Sequence, residues 1–160
     1  HRINRRQRQM CIRDRHHAEY TNILIAYADC GTGGAIDRVA QQFNAQRLPG
    51  AHCYEFYATS PVFAALAEAE PGTFYLTDFL VRNFDRLVIE EMKLDEHPEL
   101  EEMLFGRYRK VVYLAQGDSS ELLDQAERAA TRLKLPLEMV TTGYGLLAKT
   151  VEEEVIRVIA

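Results

Sequence analysis

The chain has 160 residues, 47% of them hydrophobic, which is enough to build the core of one domain. No apolar stretch approaches the roughly 20 residues that cross a bilayer, so the sequence holds no membrane-spanning helix. The net charge of -5 is unevenly spread: residues 1–15 carry six arginines and one aspartate, leaving an acidic body unsuited to the clustered phosphate contacts of nucleic-acid binding.

The opening string "HRINRRQRQMCIRDR" has no apolar segment and no periodicity. It reads as a basic arm, as a disordered tail, or as the translated sequencing-adapter read-through found at the ends of metagenomic gene sequences. The last reading fits the string best. Residues 1–15, with Cys11, are therefore set aside as a disordered or artefactual basic tail, and 16–160 are expected to form a single α/β domain. His16 and His17 border that tail and carry no weight. Cys30 and Cys53 remain, and two thiols in an acidic chain without a signal-like segment point to a reduced, cytoplasmic protein.

Ile23 to Ala28 is apolar throughout, the pattern of a strand buried on both faces. The glycines of "ADCGTGG", Ala28 to Gly34, then turn the chain into a helix with the stripe Ile36, Val39, Ala40 and Phe43. "CYEFYA", Cys53 to Ala58, reads as a second strand. Ser60 with Pro61 opens a helix with a capping hydroxyl and an early proline, and "PGT" at 71–73 closes it. Phe74 to Thr77 is the next strand. It leads through Asp78 into a long helix faced by Leu80, Phe84, Leu87 and Val88.

Another helix begins near Pro98, where His97 reads as a helix-start residue, and Lys110 to Ala115 is a strand. Asp118 with Glu121 resembles a capping box ahead of a helix bearing Leu122, Ala126, Ala129 and Leu133. Leu137 to Thr141 is a final strand. Thr150 with Glu153 caps a last helix striped by Val151, Val155, Val158 and Ile159. This alternation predicts a three-layer α/β fold with a mainly parallel sheet and helices on both faces.

In such folds ligands bind beyond the carboxyl ends of the strands. That places Asp29, Cys30, Gly31, Thr32, Gly33, Gly34, Asp78, Gln116 and Tyr144 among the candidate ligand-contacting residues. The glycine loop has two readings, a tight turn that needs positive φ or an anion cradle at a helix N-terminus. It has neither the lysine of a Walker loop nor the G-x-G-x-x-G spacing. Cys30 opens a helix and is a candidate nucleophile or metal ligand, with His52 as base or second ligand. Cys53 is a possible third ligand or a buried small residue; if 53–58 is a strand, it and His52 point to opposite faces. Asp78 reads as a ligand contact or as the cap of its helix, and Tyr144 as a pocket cover or a half-buried loop tyrosine.

"YADCGTGGAIDRV", "PGAHCYEFY", "EPGTFYLTDFLVRNFDRLV", "DEHPEL", "VVYLAQ" and "TTGYG" occur in that order between about Ile23 and Gly145. Together they resemble the uncharacterised bacterial and archaeal domain-of-unknown-function family numbered sixteen thirty-eight. The resemblance carries no assigned reaction. It implies a supporting role in corrinoid or methyl-group metabolism, because such genes lie near corrinoid-dependent methyltransferase systems. It also implies motif roles for Asp29, Cys30, Gly31, Gly33, Gly34, His52, Cys53, Tyr54, Asp78, Gln116, Gly143, Tyr144 and Gly145. Members begin with a further strand–helix unit containing a Cys-Gly motif. The arginine-rich string stands in its place here, so an N-terminally truncated fragment with an incomplete sheet is expected.

Three functions follow. The first is a metal- or metallocofactor-binding domain in which Cys30, His52 and Cys53 hold a transition metal or a corrinoid. The second is a cysteine-dependent enzyme on a small metabolite, with Cys30 as nucleophile, His52 as base and the glycine-loop amides as an oxyanion or phosphate site. The third is a non-catalytic partner of a methyltransferase system. None of them involves nucleic acid or a membrane.

Overall fold

The computed structural model describes residues 23–48, 50, 52–145 and 147–159. The basic string 1–15, Cys11 and the place of the expected additional first unit lie outside these residues. The chain divides into two compact units, one holding residues up to Cys53 together with 148–160, the other Tyr54–Leu147.

In the first unit, β1 (Ile23–Ile25) runs parallel to β2 (Ala45–Arg47), and α1 (Ala35–Gln42) connects them. The strand expected to reach Ala28 stops at Ile25. There the Tyr27 N–H donates to the Ile25 carbonyl at 2.8 Å, a three-residue turn that takes the chain off the ladder. With β2 as its ladder partner, β1 is only half-buried along its length, and Tyr27 is exposed while Ala28 is buried. The polar segment Ala45–Arg47 gave no apolar pattern by which to expect a strand.

The second unit contains α2 (Tyr54–Ala58), α3 (Ser60–Ala69), β3 (Thr73–Thr77), α4 (Asp78–Arg82), α5 (Glu99–Phe105), β4 (Lys110–Ala115), α6 (Ser120–Arg132) and β5 (Leu137–Thr141). Its sheet is parallel with the order β3-β4-β5. Val111 to Ala115 of β4 are each at most 2% exposed, as befits a central strand that is apolar over its whole length. Its side chains alternate. Val111, Tyr113 and Ala115 pack with Phe84, Leu122 and Ala126, whereas Val112 and Leu114 pack with Ala58, Phe63 and Leu66. The unit is therefore an α/β sandwich of three layers, helix on both sides of a parallel sheet. Both crossovers, β3 to β4 and β4 to β5, lie on one face, as sequential parallel strands of uniform handedness require.

Several local expectations are corrected. Tyr54–Ala58 is a helix rather than a strand. Tyr54 and Ala58, four apart, both meet the Val112–Leu114 face, and the Tyr54 ring lies 5.4 Å from that of Tyr75 and 5.8 Å from that of Phe63. Aromatic β-propensity is overridden there by tertiary packing. Ser60 does not cap α3: Thr59 holds that position at φ 62° without a side-chain bond, and the Ser60 hydroxyl donates to Glu55.

The long helix after Asp78 is broken into α4 and a π-helical segment, Asp85–Glu90. Thr77 caps α4, its Oγ1 accepting the Leu80 N–H. Ser119 rather than Asp118 caps α6, accepting from Leu122 at 3.3 Å. The last helix, α7 (Leu147–Ile159), begins three residues before Thr150. The side chains of Val158 and Ile159 lie outside the described ones, and Val155 on the expected stripe is exposed.

Candidate functional site

In the first unit the loop between β1 and α1 folds around its own aspartate. Thr32 Oγ1 donates to Asp29 Oδ1, the Gly34 N–H reaches the same oxygen at 3.1 Å, and the Thr32 N–H bonds the Asp29 carbonyl at 2.9 Å. These bonds, the Thr32 hydroxyl first and the Gly34 N–H next, hold the Asp29 carboxyl below the usual aspartate range. The anion in the cradle of glycine-loop amides is thus the protein's own carboxylate. Gly31, Gly33 and Gly34 have φ of 81°, 60° and 77°, values at which glycine alone is unstrained.

Cys30 shares that left-handed backbone at φ 43°, although it carries a side chain. Its Sγ accepts the Cys53 N–H at 3.2 Å. The peptide link joining His52 to Cys53 therefore passes beside the thiol. Because 53 begins a turn into α2, the alternation that would set His52 and Cys53 on opposite faces does not apply. His52 is exposed, and both cysteines are half-buried.

Arg47 completes this neighbourhood, and sequence reading did not single it out. Its guanidinium forks onto Asp37, Nε to Oδ1 at 2.5 Å and Nη2 to Oδ2 at 3.2 Å, and donates from Nη1 to the carbonyls of Leu48 and Gly50. Asp37 foremost, then Asp29 and Cys30, hold the guanidinium protonated beyond its usual range. Its isolated position in "AQRLPG" gave no pattern to read; only the β1–β2 pairing brings it to Asp37. The same bonds hold the Asp37 carboxyl below its ordinary value.

In the second unit the strand ends gather Asp78, Tyr113 and Gln116. Asp78 Oδ1 accepts the Tyr113 hydroxyl at 2.8 Å and the Gln116 N–H at 3.1 Å. Gln116 returns the bond, its Oε1 accepting the Asp78 N–H at 2.8 Å, while its Nε2 donates to the Leu114 carbonyl. Asp78 is therefore a strand-to-strand clasp rather than a helix cap. Tyr113 is buried, and burial first, then the bond to Asp78, pushes its phenol far above the usual range. Tyr113 was missed because a tyrosine inside "KVVYLA" reads as core; its depth on the strand, opposite no obvious partner in sequence, conceals the bond to Asp78.

A cavity of about 210 Å³ opens beside this clasp, lined among others by Tyr113, Gly117, Ser119, Leu123, Met139 and Thr141. It lies where the β4 and β5 ends meet the start of α6, the position that the fold class favours for a ligand. Tyr144 is exposed. The neighbouring Gly143 and Gly145 have φ of 58° and 49°, and a Cβ on Gly145 would stand 2.2 Å from the Tyr57 carbonyl oxygen. Glycine is required there by both conformation and space. The Asp78–Gln116 group and the Cys30–Cys53 group belong to different units.

Among the described residues, no group of three or more His, Cys, Asp and Glu side chains is placed to hold a metal, and no helix is long and apolar enough to cross a membrane. Fold and site together define an α/β protein with parallel strands and a cysteine-bearing glycine loop. Its sequence matches, over residues 7–151, the family described as protein of unknown function (DUF1638), and the chain belongs to that family. The match begins inside the arginine-rich string. Neither the curated proteins nor the solved structures gave a match to this chain.

Proposed function

We propose that the protein is a cysteine-dependent enzyme acting on a small electrophilic metabolite, with Cys30 as its nucleophile. The observation that carries this reading is the Cys53 N–H donated to Cys30 Sγ at 3.2 Å, on a residue held at φ 43°. A left-handed conformation costs a side-chain-bearing residue about 1–2 kcal/mol, which glycine in the same place would avoid. A thiol kept there at that cost, with a backbone donor aimed at its sulfur and the Arg47 cation nearby, is arranged to react rather than to pack. His52, one residue from the donating amide, would take the thiol proton as the sulfur attacks carbon and the leaving group departs with the bond's electron pair.

The glycine-loop amides have a different part in this scheme from the one expected of them. They hold Asp29 and thereby fix the loop that presents Cys30. The metal-binding reading draws on Cys30, His52 and Cys53, but among the described residues these three do not form a group placed to hold a metal, as a metal site requires. That donor set does not fit a resident metal ion. A setting in corrinoid or methyl-group metabolism, beside a methyltransferase system and in the cytoplasm, rests on the family resemblance and composition alone.

Covalent capture tests the proposal. Incubation with p-nitrophenyl acetate should transfer one acetyl group to Cys30, releasing p-nitrophenolate, as read by intact mass and peptide mapping. Cys30→Ser should abolish the adduct at that peptide, and His52→Gln should slow its formation by about 10²-fold or more, the lower end of what a positioned base contributes. Acetylation spread equally over Cys30 and Cys53 would overturn it.

A further inference from the structure

We infer a second binding site, in the Tyr54–Leu147 unit, for a small phosphorylated molecule that also carries hydroxyl groups. The site is a cavity of about 410 Å³ between the α4–π-helix segment and α6, lined by Arg82, Arg86, Arg128, Asp85, Glu90 and Gln125 among others. That volume falls within the range of small-molecule pockets. Three arginines line it, Arg82 and Arg86 from the α4–π-helix segment and Arg128 from α6, and α4 packs against α6.

The lining sets three arginines against two carboxylates, Asp85 and Glu90. Among the described residues, Arg86 and Arg128 have no carboxylate within ion-pair distance, and Arg82 meets Asp78 only at 3.8 Å. Arg86 is held in place without loss of charge: its Nη2 donates to Asn83 Oδ1 at 3.0 Å, and Asn83 Nδ2 donates to the Phe79 carbonyl at 2.8 Å. The change of winding after α4 fixes where Arg86 emerges, since it is the second residue of the π-helical segment Asp85–Glu90. Interrupted winding of this kind is uncommon and recurs at functional sites.

The chemistry of the lining selects the ligand. Planar guanidinium forks donate paired N–H groups to tetrahedral oxyanions, and three arginines in one lining suit a phosphate monoester dianion better than a lone carboxylate. Asp85, Glu90 and Gln125 add acceptors to the same cavity, and acceptors serve the hydroxyls of an organic part rather than the phosphate. The acidic body around the site makes a general cationic surface an insufficient account of this local charge.

Isothermal titration of the full chain with inorganic phosphate, glycerol 1-phosphate and citrate tests the inference, in the wild type and in Arg86→Gln, Arg128→Gln, Arg128→Lys and Arg107→Gln. Arg107 is exposed and does not line the cavity. Saturable binding of glycerol 1-phosphate, tighter than that of inorganic phosphate, is expected. It should weaken about tenfold or more in the two lining glutamine variants, less in Arg128→Lys, and stay unchanged in Arg107→Gln. Matching urea midpoints of the variants guard against misfolding as the cause. No saturable phosphate binding by the wild type, citrate binding in preference to both phosphates, or equal weakening by Arg107→Gln would overturn it. Inorganic phosphate binding as tightly as glycerol 1-phosphate would overturn the hydroxyl-bearing class.

Discussion

Replacing Cys30 by alanine and by glycine separates the backbone's contribution from the sulfur's. Alanine keeps the side-chain penalty of φ 43° and removes the acceptor of the Cys53 N–H. A hydrogen bond is worth about 0.5–1.5 kcal/mol net, and a sulfur acceptor lies at the lower end, so Cys30→Ala should lose about 0.5–1 kcal/mol. Glycine loses the same acceptor but sheds a strain of about 1–2 kcal/mol. Its greater freedom in the unfolded chain returns about 0.5–1 kcal/mol of that gain. Cys30→Gly should therefore be more stable than Cys30→Ala by about 0.5–1 kcal/mol and lie close to the wild type. Urea unfolding with equal m-values reads the difference as a shift of midpoint. A Cys30→Gly midpoint at or below that of Cys30→Ala would show that the backbone at 30 is not held left-handed, and the strain argument would fail.

Asp29→Asn should destabilise the protein at neutral pH. Because the Thr32 and Gly34 bonds lower the folded-state value, the carboxylate's contribution is present above the ordinary aspartate value of about 3.9 and is lost as pH falls through the lower folded one. The gap between wild type and variant in urea midpoint should accordingly close on acidification below pH ~4; a gap constant from pH 7 to 3 would contradict this. Tyr113→Phe leaves Asp78 short of one donor and should cost about 1.5–3 kcal/mol in urea unfolding, while a cost within error would show the clasp to be idle. The Tyr113 phenol is raised in the folded state, so its contribution is intact below pH ~10 and falls as pH climbs above it; the wild type should approach Tyr113→Phe in that window. Gly145→Ala should cost more than about 2 kcal/mol, from positive φ and the clash with the Tyr57 carbonyl together, and a neutral result would mean that the loop relaxes freely.

Much of the second unit was legible in the sequence because its signals are local and strong. "KVVYLA" is apolar at consecutive positions, and Lys110–Ala115 is the buried central strand. Leu122, Ala126 and Ala129 follow helical spacing, and all three are buried on α6. "CYEFYA" misled because tyrosine and phenylalanine favour strands in general, whereas Tyr54 here serves an aromatic cluster with Phe63 and Tyr75 that only the tertiary fold assembles. In two of the corrected cases capping went to the neighbour, Thr77 for Asp78 and Ser119 for Asp118. Adjacent polar residues offer equivalent hydrogen-bonding atoms, and backbone geometry selects between them.

The candidate site was legible in part for the same reason. A strand, a run of glycines and a cysteine mark a place, and Cys30 and Cys53 do meet there. The role of the glycine amides was not legible because the local turn of the loop, not its residue spacing, brings the Gly34 N–H onto Asp29, and that of Arg47 because it depends on a contact between β2 and α1.

The account rests on Cys30 being the reactive thiol. The rate of its alkylation by iodoacetamide at pH 7, measured by peptide mass spectrometry in the native protein and again in urea, tests this most directly. Native Cys30 should be labelled about tenfold faster than native Cys53 and faster than Cys30 in the unfolded chain. Cys30 labelled more slowly when folded than when unfolded would contradict the account.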